Sequence, residues 1–321
     1  MPESPAVSVV VASHARELRL RWLLNALEEQ QCDEDWEVVV VHDYDETTAA
    51  RLIEAHPLYE TGTLSHHPIA SGTGSPARQR NIGWRASRTE LLAFTDDDCR
   101  PEPDWLGRLL AVARSNPGSV VQGLTRGDPF EGAILAAPHV RTMWIDPVGP
   151  YAQTCNILYP RRLVEELGGF DERAVAGEDV ELSLRARAAG AEIVAAPQAV
   201  VNHAIESFTL PGVLRQNLKW RYLAHLVKRH PEFRRELTLG LFWDRDHLLV
   251  SAGLAGLCAA KRDRRALLLV LPYALSAGSR RGNGLRARAI AALELPGQAV
   301  RQAAEVLGMA AGSIRYGTAL L

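Results

Sequence analysis

The sequence predicts an α/β fold, with a mostly parallel sheet flanked by helices over residues 1–206 and a helical region over 207–321. Three observations carry this. Short β-branched apolar runs alternate with helical patterns through the first part, the signature of βαβ units. Carboxylates follow two of those runs directly, at Asp43 and at Asp96, Asp97 and Asp98, where the strand ends of such a sheet place ligands. Beyond residue 207 the strand patterns stop and the charge reverses. Residues 1–206 hold 18 Lys/Arg and 31 Asp/Glu, whereas residues 207–321 hold 18 and 7. An acidic part suits cation binding, and a basic part suits a phosphate-rich ligand or surface.

Each element follows from its own pattern. VSVVVA (7–12) and WEVVVVHD (36–43) are short runs rich in β-branched apolar residues, as buried parallel strands are. Between them, residues 16–31 set Leu18, Trp22, Leu23 and Leu27 at helical spacing. DETTAARLIEAH (45–56) opens with acids and threonines and reads as a helix. SGTGSPARQRNIGWRAS (71–87) is a glycine-rich loop entering a helix, and ELLAFTDDD (90–98) is a strand ending in three carboxylates. Further helices are expected over 103–115, 161–170 and 177–190, and strands over 119–126 and 191–203. In the second part, 213–230 reads as one basic helix. Two apolar stretches, 247–260 and 266–277, flank KRDRR (261–265), and 285–310 is helical. Each apolar stretch is shorter than the roughly 20 residues that span a bilayer.

Composition narrows the class further. The 321 residues are 47% hydrophobic and 23% charged, ordinary for a chain that buries a core. Cys32, Cys99, Cys155 and Cys258 form no CxxC pair, which argues against a zinc ribbon, a redox motif or a disulfide scaffold and fits a reducing, cytoplasmic setting. The N-terminus has no basic region before its short apolar run, so that run reads as a strand and not as a secretion signal. There is no internal repeat and no low-complexity segment, and no nucleic-acid partner is expected.

Four clusters carry chemistry. Carboxylates at a strand end, as in Asp96-Asp97-Asp98, share a hard divalent cation, Mg²⁺ or Mn²⁺, which neutralises a diphosphate leaving group. The plainer alternative is a solvated acidic turn. Arg80 lies where a loop enters a helix, a natural anion site. Glu178 and Asp179 open the helix over 177–190, where the helix dipole alone would favour carboxylates. His203 ends a strand, and RQNLKW (215–220) places a Trp within basic residues.

The order of these pieces resembles glycosyltransferase family 2, the inverting GT-A type. VSVVVASHAR resembles its opening strand and loop, PARQRNIGWRAS its Arg-Asn-x-Gly element and FTDDDCRPEPDWL its Asp-x-Asp element. GGFDERAVAGEDVELSLRARAAGAEIVAAPQAVVNH resembles the Gly-Gly-Phe-Asp-Glu and Glu-Asp elements, and RQNLKW the Gln-x-x-Arg-Trp element with Lys219 in place of arginine. The match covers roughly residues 6–225. It implies a Rossmann-like nucleotide-diphospho-sugar transferase domain over 1–206. Ser13, Arg16 and Asp43 would lie by the base and ribose, and Arg80 by the nucleotide or diphosphate. Asp96 would lie by ribose and metal, Asp97 by the donor, and Asp98 and His203 on the metal. Asp179 would be the general base, assisted by Glu178, while Gln216, Lys219 and Trp220 would touch diphosphate or acceptor.

The resemblance thus implies transfer of a sugar from a nucleotide-diphosphate donor to a carbohydrate or lipid-linked acceptor in envelope polysaccharide, glycolipid or glycoconjugate synthesis. Departures are His42-Asp43 where paired aspartates are common, Ala-Ser-His-Ala-Arg in the first loop, and Lys219, which loses the planar fork of arginine. A sugar nucleotidyltransferase and a non-catalytic nucleotide-sugar-binding protein are the alternatives. The first would show Gly and Lys in its opening loop, which ASHAR lacks. For the basic C-terminal region two readings stand: a peripheral contact at the inner face of the cell membrane, or a helical cap or dimer contact.

Overall fold

The structure, a computed structural model, describes residues 5–44, 48–279 and 284–321. They form two compact units, one of 1–134 and 141–206 and the other of 135–140 and 207–321.

The first unit is built on β1 (Val7–Ser13), α1 (Glu17–Glu28), β2 (Trp36–His42), α2 (Thr48–Glu54), α3 (Pro57–Glu60), β3 (Leu64–Pro68), α4 (Pro76–Ala86) and β4 (Leu91–Asp96). The chain continues through β5 (Cys99–Pro101), α5 (Trp105–Ser115), β6 (Val120–Gly127), β7 (Val140–Arg141), β8 (Asn156–Pro160), α6 (Arg161–Glu166), α7 (Glu178–Ala188), β9 (Ile193–His203) and β10 (Glu206–Ser207). One mixed sheet has the order β3-β2-β1-β4-β8-β6-β9-β5. β3, β2, β1 and β4 run parallel, β8 enters antiparallel to both neighbours, β6 and β9 are parallel, and β5 closes antiparallel on β9.

The period of two in β1 divides the core. Val7, Val9 and Val11 join the cluster containing Leu20, Leu24, Trp105 and Leu109, whereas Val10 joins the opposite cluster with Trp84, Phe94, Tyr159 and Leu182. Both faces are covered, which is why the strand reads as an apolar run broken only by Ser8, whose buried hydroxyl donates to Glu37 of β2 at 2.6 Å. In α1 the buried stripe is Leu20, Leu23, Leu24 and Leu27. Leu18, expected on that stripe, is exposed, and Trp22 takes Arg19 and Arg100 over its ring at 5.0 and 5.2 Å instead.

α4 starts with Ser75, whose side chain accepts from the Arg78 amide, and Pro76 in the first turn, where its missing N–H is no loss. The helix over 45–56 is seen from Thr48, and residues 45–47 lie outside the described residues. β3, β5 and β8 were not expected from the sequence. Each is at most five residues long, and the edge strand β3 (LSHHP) carries a single large apolar residue, so no periodicity marks it.

The second unit contains α8 (Leu210–Asn217), a 3₁₀ helix Leu218–Tyr222, α9 (Leu223–Arg229), α10 (Arg245–Ala259), a 3₁₀ helix Arg264–Val270, α11 (Leu271–Ser279) and α12 (Leu285–Tyr316). The expected single helix over 213–230 is thus broken in the middle. Tertiary packing tightens it. A Cβ at Gly312 of α12 would come within 2.1 Å of the Arg221 carbonyl oxygen, so the backbone of the 3₁₀ helix lies directly on α12. Buried His247 of α10 meets Asp244 at 2.8 Å and Glu305 of α12 at 3.2 Å. Burial opposes its charge, but the hydrogen bonds that its ring donates to those two carboxylates raise its pKa to about 9. Among the described residues no helix is long and apolar enough to cross a membrane.

Gly83 marks the closest approach of α4 to the sheet, since a Cβ there would lie 2.5 Å from Val10 Cγ1. Gly83→Val should destabilise the first unit by about 1–3 kcal/mol through overpacking, read as a lower urea midpoint at constant m-value.

Candidate active site

The parallel strands bring three sequence-distant segments to one edge of the sheet. Register pairs Ser13 with His42 and Ala12 with Asp96, so the loop after β1, Asp43 after β2 and the aspartates after β4 are neighbours. The loop after β1 turns through Ala15 at φ 50°, a left-handed conformation that an alanine holds only under constraint. That constraint comes from Asp97. Its Oδ2 accepts from the Ser13 hydroxyl at 2.8 Å and from the His14 amide at 3.1 Å. The Tyr44 hydroxyl meets Ser13 Oγ at 2.7 Å and accepts from the Arg16 amide at 3.0 Å, and Gln79 donates to the Ser13 carbonyl at 2.8 Å. Asp97 therefore shapes the first loop from beneath. Burial, together with the adjacent Asp98 charge, pushes its carboxyl up to about 7 despite Arg16.

Asp43 is buried and lies 2.6 Å from Nδ1 of the exposed His14 ring. Gly74 passes over it so closely that a Cβ would stand 2.6 Å from Asp43 Oδ2. A cleft of about 400 Å³ opens here, lined by His14, Ala15, Glu17, Asp43, Tyr44 and Ser71. Arg16 lies at 3.3 Å from Asp97, in contact with Asp98, and at 3.9 Å from Glu206. Burial works against its charge, and the attraction of these acids outweighs it, so the guanidinium stays protonated.

The short strand β5 decides the metal side. It pairs Cys99 with His203, which sets His203 Nε2 3.6 Å from Asp98 Oδ1. Ligand atoms of Asp98, Cys99 and His203 all lie within 4.8 Å of one another. His203 Nδ1 is 3.0 Å from the Ala204 carbonyl, which orients the ring so that Nε2 is the nitrogen facing Asp98. A carboxylate and an imidazole so arranged suit a divalent cation such as Mn²⁺ or Mg²⁺. Burial holds the Cys99 thiol protonated, far above its ordinary range, so it is the weakest candidate donor of the three.

On the other side of Asp96 stands Arg80, 5% exposed. Its Nη2 donates to Asp96 Oδ1 at 2.8 Å and its Nη1 to Glu178 Oε1 at 2.7 Å. Both ends of the guanidinium fork are thus taken by carboxylates. Arg80, for which a contact with nucleotide or diphosphate is implied, here bridges β4 and α7. Glu178, implied as a catalytic assistant, is the buried partner of that bridge. The next residue of α4, Asn81, docks the following loop: it donates to the Phe170 carbonyl and accepts from the Phe170 amide, both at 2.9 Å. A Cβ at Gly169, at φ +80°, would lie 2.4 Å from Asn81 Oδ1, so glycine is required there.

Gly177, left-handed at φ 77°, turns the chain into α7 and presents Glu178 and Asp179 in its first turn. Asp179 is partly exposed. Its carboxyl is nevertheless raised well above the ordinary carboxylate range, first by burial and then by the Glu178 charge, with Arg80 pulling the other way and Asp96 adding to the rise. A carboxylate of raised pKa beside a charged cluster has the properties of a general base.

The structure thus gathers Ser13, Arg16, Asp43, Arg80, Asp96, Asp97, Asp98, Glu178, Asp179 and His203 in the first unit. Gln216, Lys219 and Trp220 belong to the second. There Lys219 is exposed, and the partly exposed Trp220 packs edge-on to Trp243 at 5.7 Å and against His247 at 5.4 Å. Sequence reasoning missed His14, Tyr44, Gln79 and Cys99. Each adjoins a residue it did select, and the contacts that give them roles run between segments.

Comparison with known proteins identifies the family and the fold. Residues 8–168 match the Glycosyl transferase family 2 profile, and residues 138–279 match Glycosyl transferase family group 2. A pre-mycofactocin glycosyltransferase of Mycobacterium tuberculosis is 28% identical over 54% of this chain and 39% of its own length. The O-antigen biosynthesis protein RfbC of Myxococcus xanthus is 31% identical over 74% of this chain and 20% of its own. The chain therefore spans well under half the length of these relatives. A mannosyltransferase from Pyrobaculum calidifontis, solved with GDP-Man and Mn²⁺, has the same fold, with a TM-score of 0.59, 18% identity and coverage of 98% of this chain and 88% of that one.

Arg80→Met should leave the buried Glu178 and the partly exposed Asp96 without their shared cation. The expected loss is about 3–5 kcal/mol of stability, measured by chemical denaturation, with a larger loss than for Gly83→Val.

Proposed function

The chain belongs to glycosyltransferase family 2, and we propose that it transfers a sugar from a nucleoside-diphosphate donor to an acceptor hydroxyl with inversion. The observation that carries this reading is the charge network that links the candidate cation site to a raised carboxylate: Asp98 and His203 on one side of Asp96, and Arg80, Glu178 and Asp179 on the other.

In this reading the cleft beside Asp43 and Tyr44 receives the base and ribose, and the exposed His14 ring and Glu17 border them. Asp97 holds the loop that carries Ser13 and Arg16 in the shape that binding needs. A divalent cation, Mn²⁺ or Mg²⁺, held by Asp98 and His203 with Asp96 beside them, would neutralise the departing diphosphate. Arg16 supplies positive charge at the same place. Asp179 accepts the proton of the acceptor hydroxyl as its oxygen attacks the anomeric carbon, and the nucleoside diphosphate leaves from the opposite face. Glu178, neutralised by Arg80, fixes the position of Asp179. The reading extends to a carbohydrate or lipid-linked acceptor, a role for Gln216, Lys219 and Trp220 at diphosphate or acceptor, and a cytoplasmic site of action with peripheral contact at the inner membrane face. The alternative of nucleotidyl transfer has no support in the first loop, where His14, Ala15 and Arg16 stand in place of a Gly- and Lys-containing phosphate cradle.

Asp179→Asn should lower turnover by a factor of 10² or more, the scale of general-base catalysis, and leave the donor dissociation constant within about twofold. Comparable turnover in the variant would remove Asp179 as the base. A base works deprotonated, and the Asp179 pKa is raised. Activity is therefore complete above that raised pKa and declines about tenfold per pH unit below it, at a pH well above that of an ordinary carboxylate; a flat profile down to the ordinary carboxylate range would contradict it. Chelation should abolish transfer and added Mn²⁺ restore it. Asp98→Ala and His203→Ala should each raise the Mn²⁺ concentration for half-activity by roughly 10-fold or more, measured by titration of the metal-free protein.

A further inference from the structure

The basic charge and the apolar runs of the second unit meet on one raised feature between α10 and α11. On the 3₁₀ helix Arg264–Val270, Leu267, Leu268 and Leu269 are consecutive. With about three residues per turn, consecutive side chains point in three different directions. All three are nonetheless 44–63% exposed, so the segment stands out from the unit as a ridge. Leu257 near the end of α10, and Leu271 and Leu275 on α11, continue it at 52–74% exposure.

The ridge is built into the fold. A Cβ at Gly256 would lie 2.5 Å from the Ala266 carbonyl oxygen and 2.9 Å from Leu269 Cβ, so a glycine on α10 lets the 3₁₀ backbone lie flat against it. Asp263 caps the segment, its side chain accepting from the Arg265 amide at 2.9 Å. Four exposed cations, Lys261, Arg262, Arg264 and Arg265, stand at the same turn, and Asp263 is the only acid between His247 and Ser279. Six exposed leucines on one short helix and its two neighbours point to an interaction surface. Cations beside it, with the one nearby acid used as a cap, complement an anionic surface that has an apolar interior.

We propose that this ridge is a lipid-insertion element. Leu267, Leu268, Leu269, Leu271 and Leu275 enter the boundary between headgroups and acyl chains of an anionic bilayer. Lys261, Arg262, Arg264 and Arg265 bind the lipid phosphates around them. The contact is peripheral, since no described helix spans a membrane. It deepens the membrane-face reading given above and rests on that reading only for where the contact occurs in the cell.

The test is co-sedimentation of the whole chain with phosphatidylcholine vesicles, with and without phosphatidylglycerol. Binding is expected with phosphatidylglycerol at low salt, with a sharp decrease at high salt. Leu268→Asn combined with Leu269→Asn should weaken vesicle binding by about tenfold or more at an unchanged melting temperature. Arg264→Gln combined with Arg265→Gln should weaken it by about 25-fold, on the scale of roughly fivefold per cation. Asp179→Asn, which separates catalysis from docking, should bind vesicles as the wild type does. The proposal is overturned if the wild type ignores phosphatidylglycerol vesicles, or if the leucine variant binds them equally well. It is also overturned if that variant only turns a dimer into a monomer, which would make the ridge a contact between two copies.

Discussion

A single buried guanidinium holds the site together. Arg80 donates to Asp96 at the end of β4 and to Glu178 at the head of α7, two segments more than 80 residues apart in the chain. A charge at that depth is stable only while both ends of its fork are matched. That bridge ties the head of α7, and with it Asp179, to the strand ends, while Leu182 and Ala186 in the core and the Arg185 bonds to the Leu167 and Gly169 carbonyls hold the rest of the helix. The same charge moderates the rise in the Asp179 pKa, which burial and Glu178 drive. A positioning residue here also sets the chemistry of its neighbour.

The helix that carries Arg80 does three jobs with nearly adjacent residues. Arg80 ties the carboxylates. Asn81 grips the Phe170 backbone on both its amide and its carbonyl. Gly83 lets the helix sit on Val10. The Arg-Asn-x-Gly pattern is thus a set of packing and hydrogen-bonding demands before it is a binding motif. Gly168 and Gly169 answer it from the other side, for only a residue without a Cβ fits against Asn81 at Gly169. The aspartate triplet divides its labour likewise. Asp96 faces Arg80, Asp97 turns inward to the first loop, and Asp98 faces His203.

The second unit uses charge in another way. His247 is held protonated between Asp244 and Glu305 within the helices, an internal ion cluster that organises packing. The cations near residue 263 point outward beside exposed leucines. One kind of side chain thus stabilises the helices at one place and offers a surface at another, and burial alone distinguishes the two.

The sequence by itself determined the layered α/β domain, because the strands buried on both faces and the helices with one apolar stripe each leave a periodic trace. It determined the candidate chemistry as well, since Asp43, Asp96–Asp98, Glu178-Asp179 and His203 all follow or end recognisable elements. Tertiary structure alone decided which of these groups meet. The pairing of Cys99 with His203 depends on a three-residue strand that no periodicity could mark. The inward turn of Asp97, the burial of Arg80 between two acids, and the break of the 213–230 helix against Gly312 all depend on contacts between distant segments. Local pattern reports which face of an element is apolar; the partner that a polar side chain finds across the sheet is set by how the elements pack.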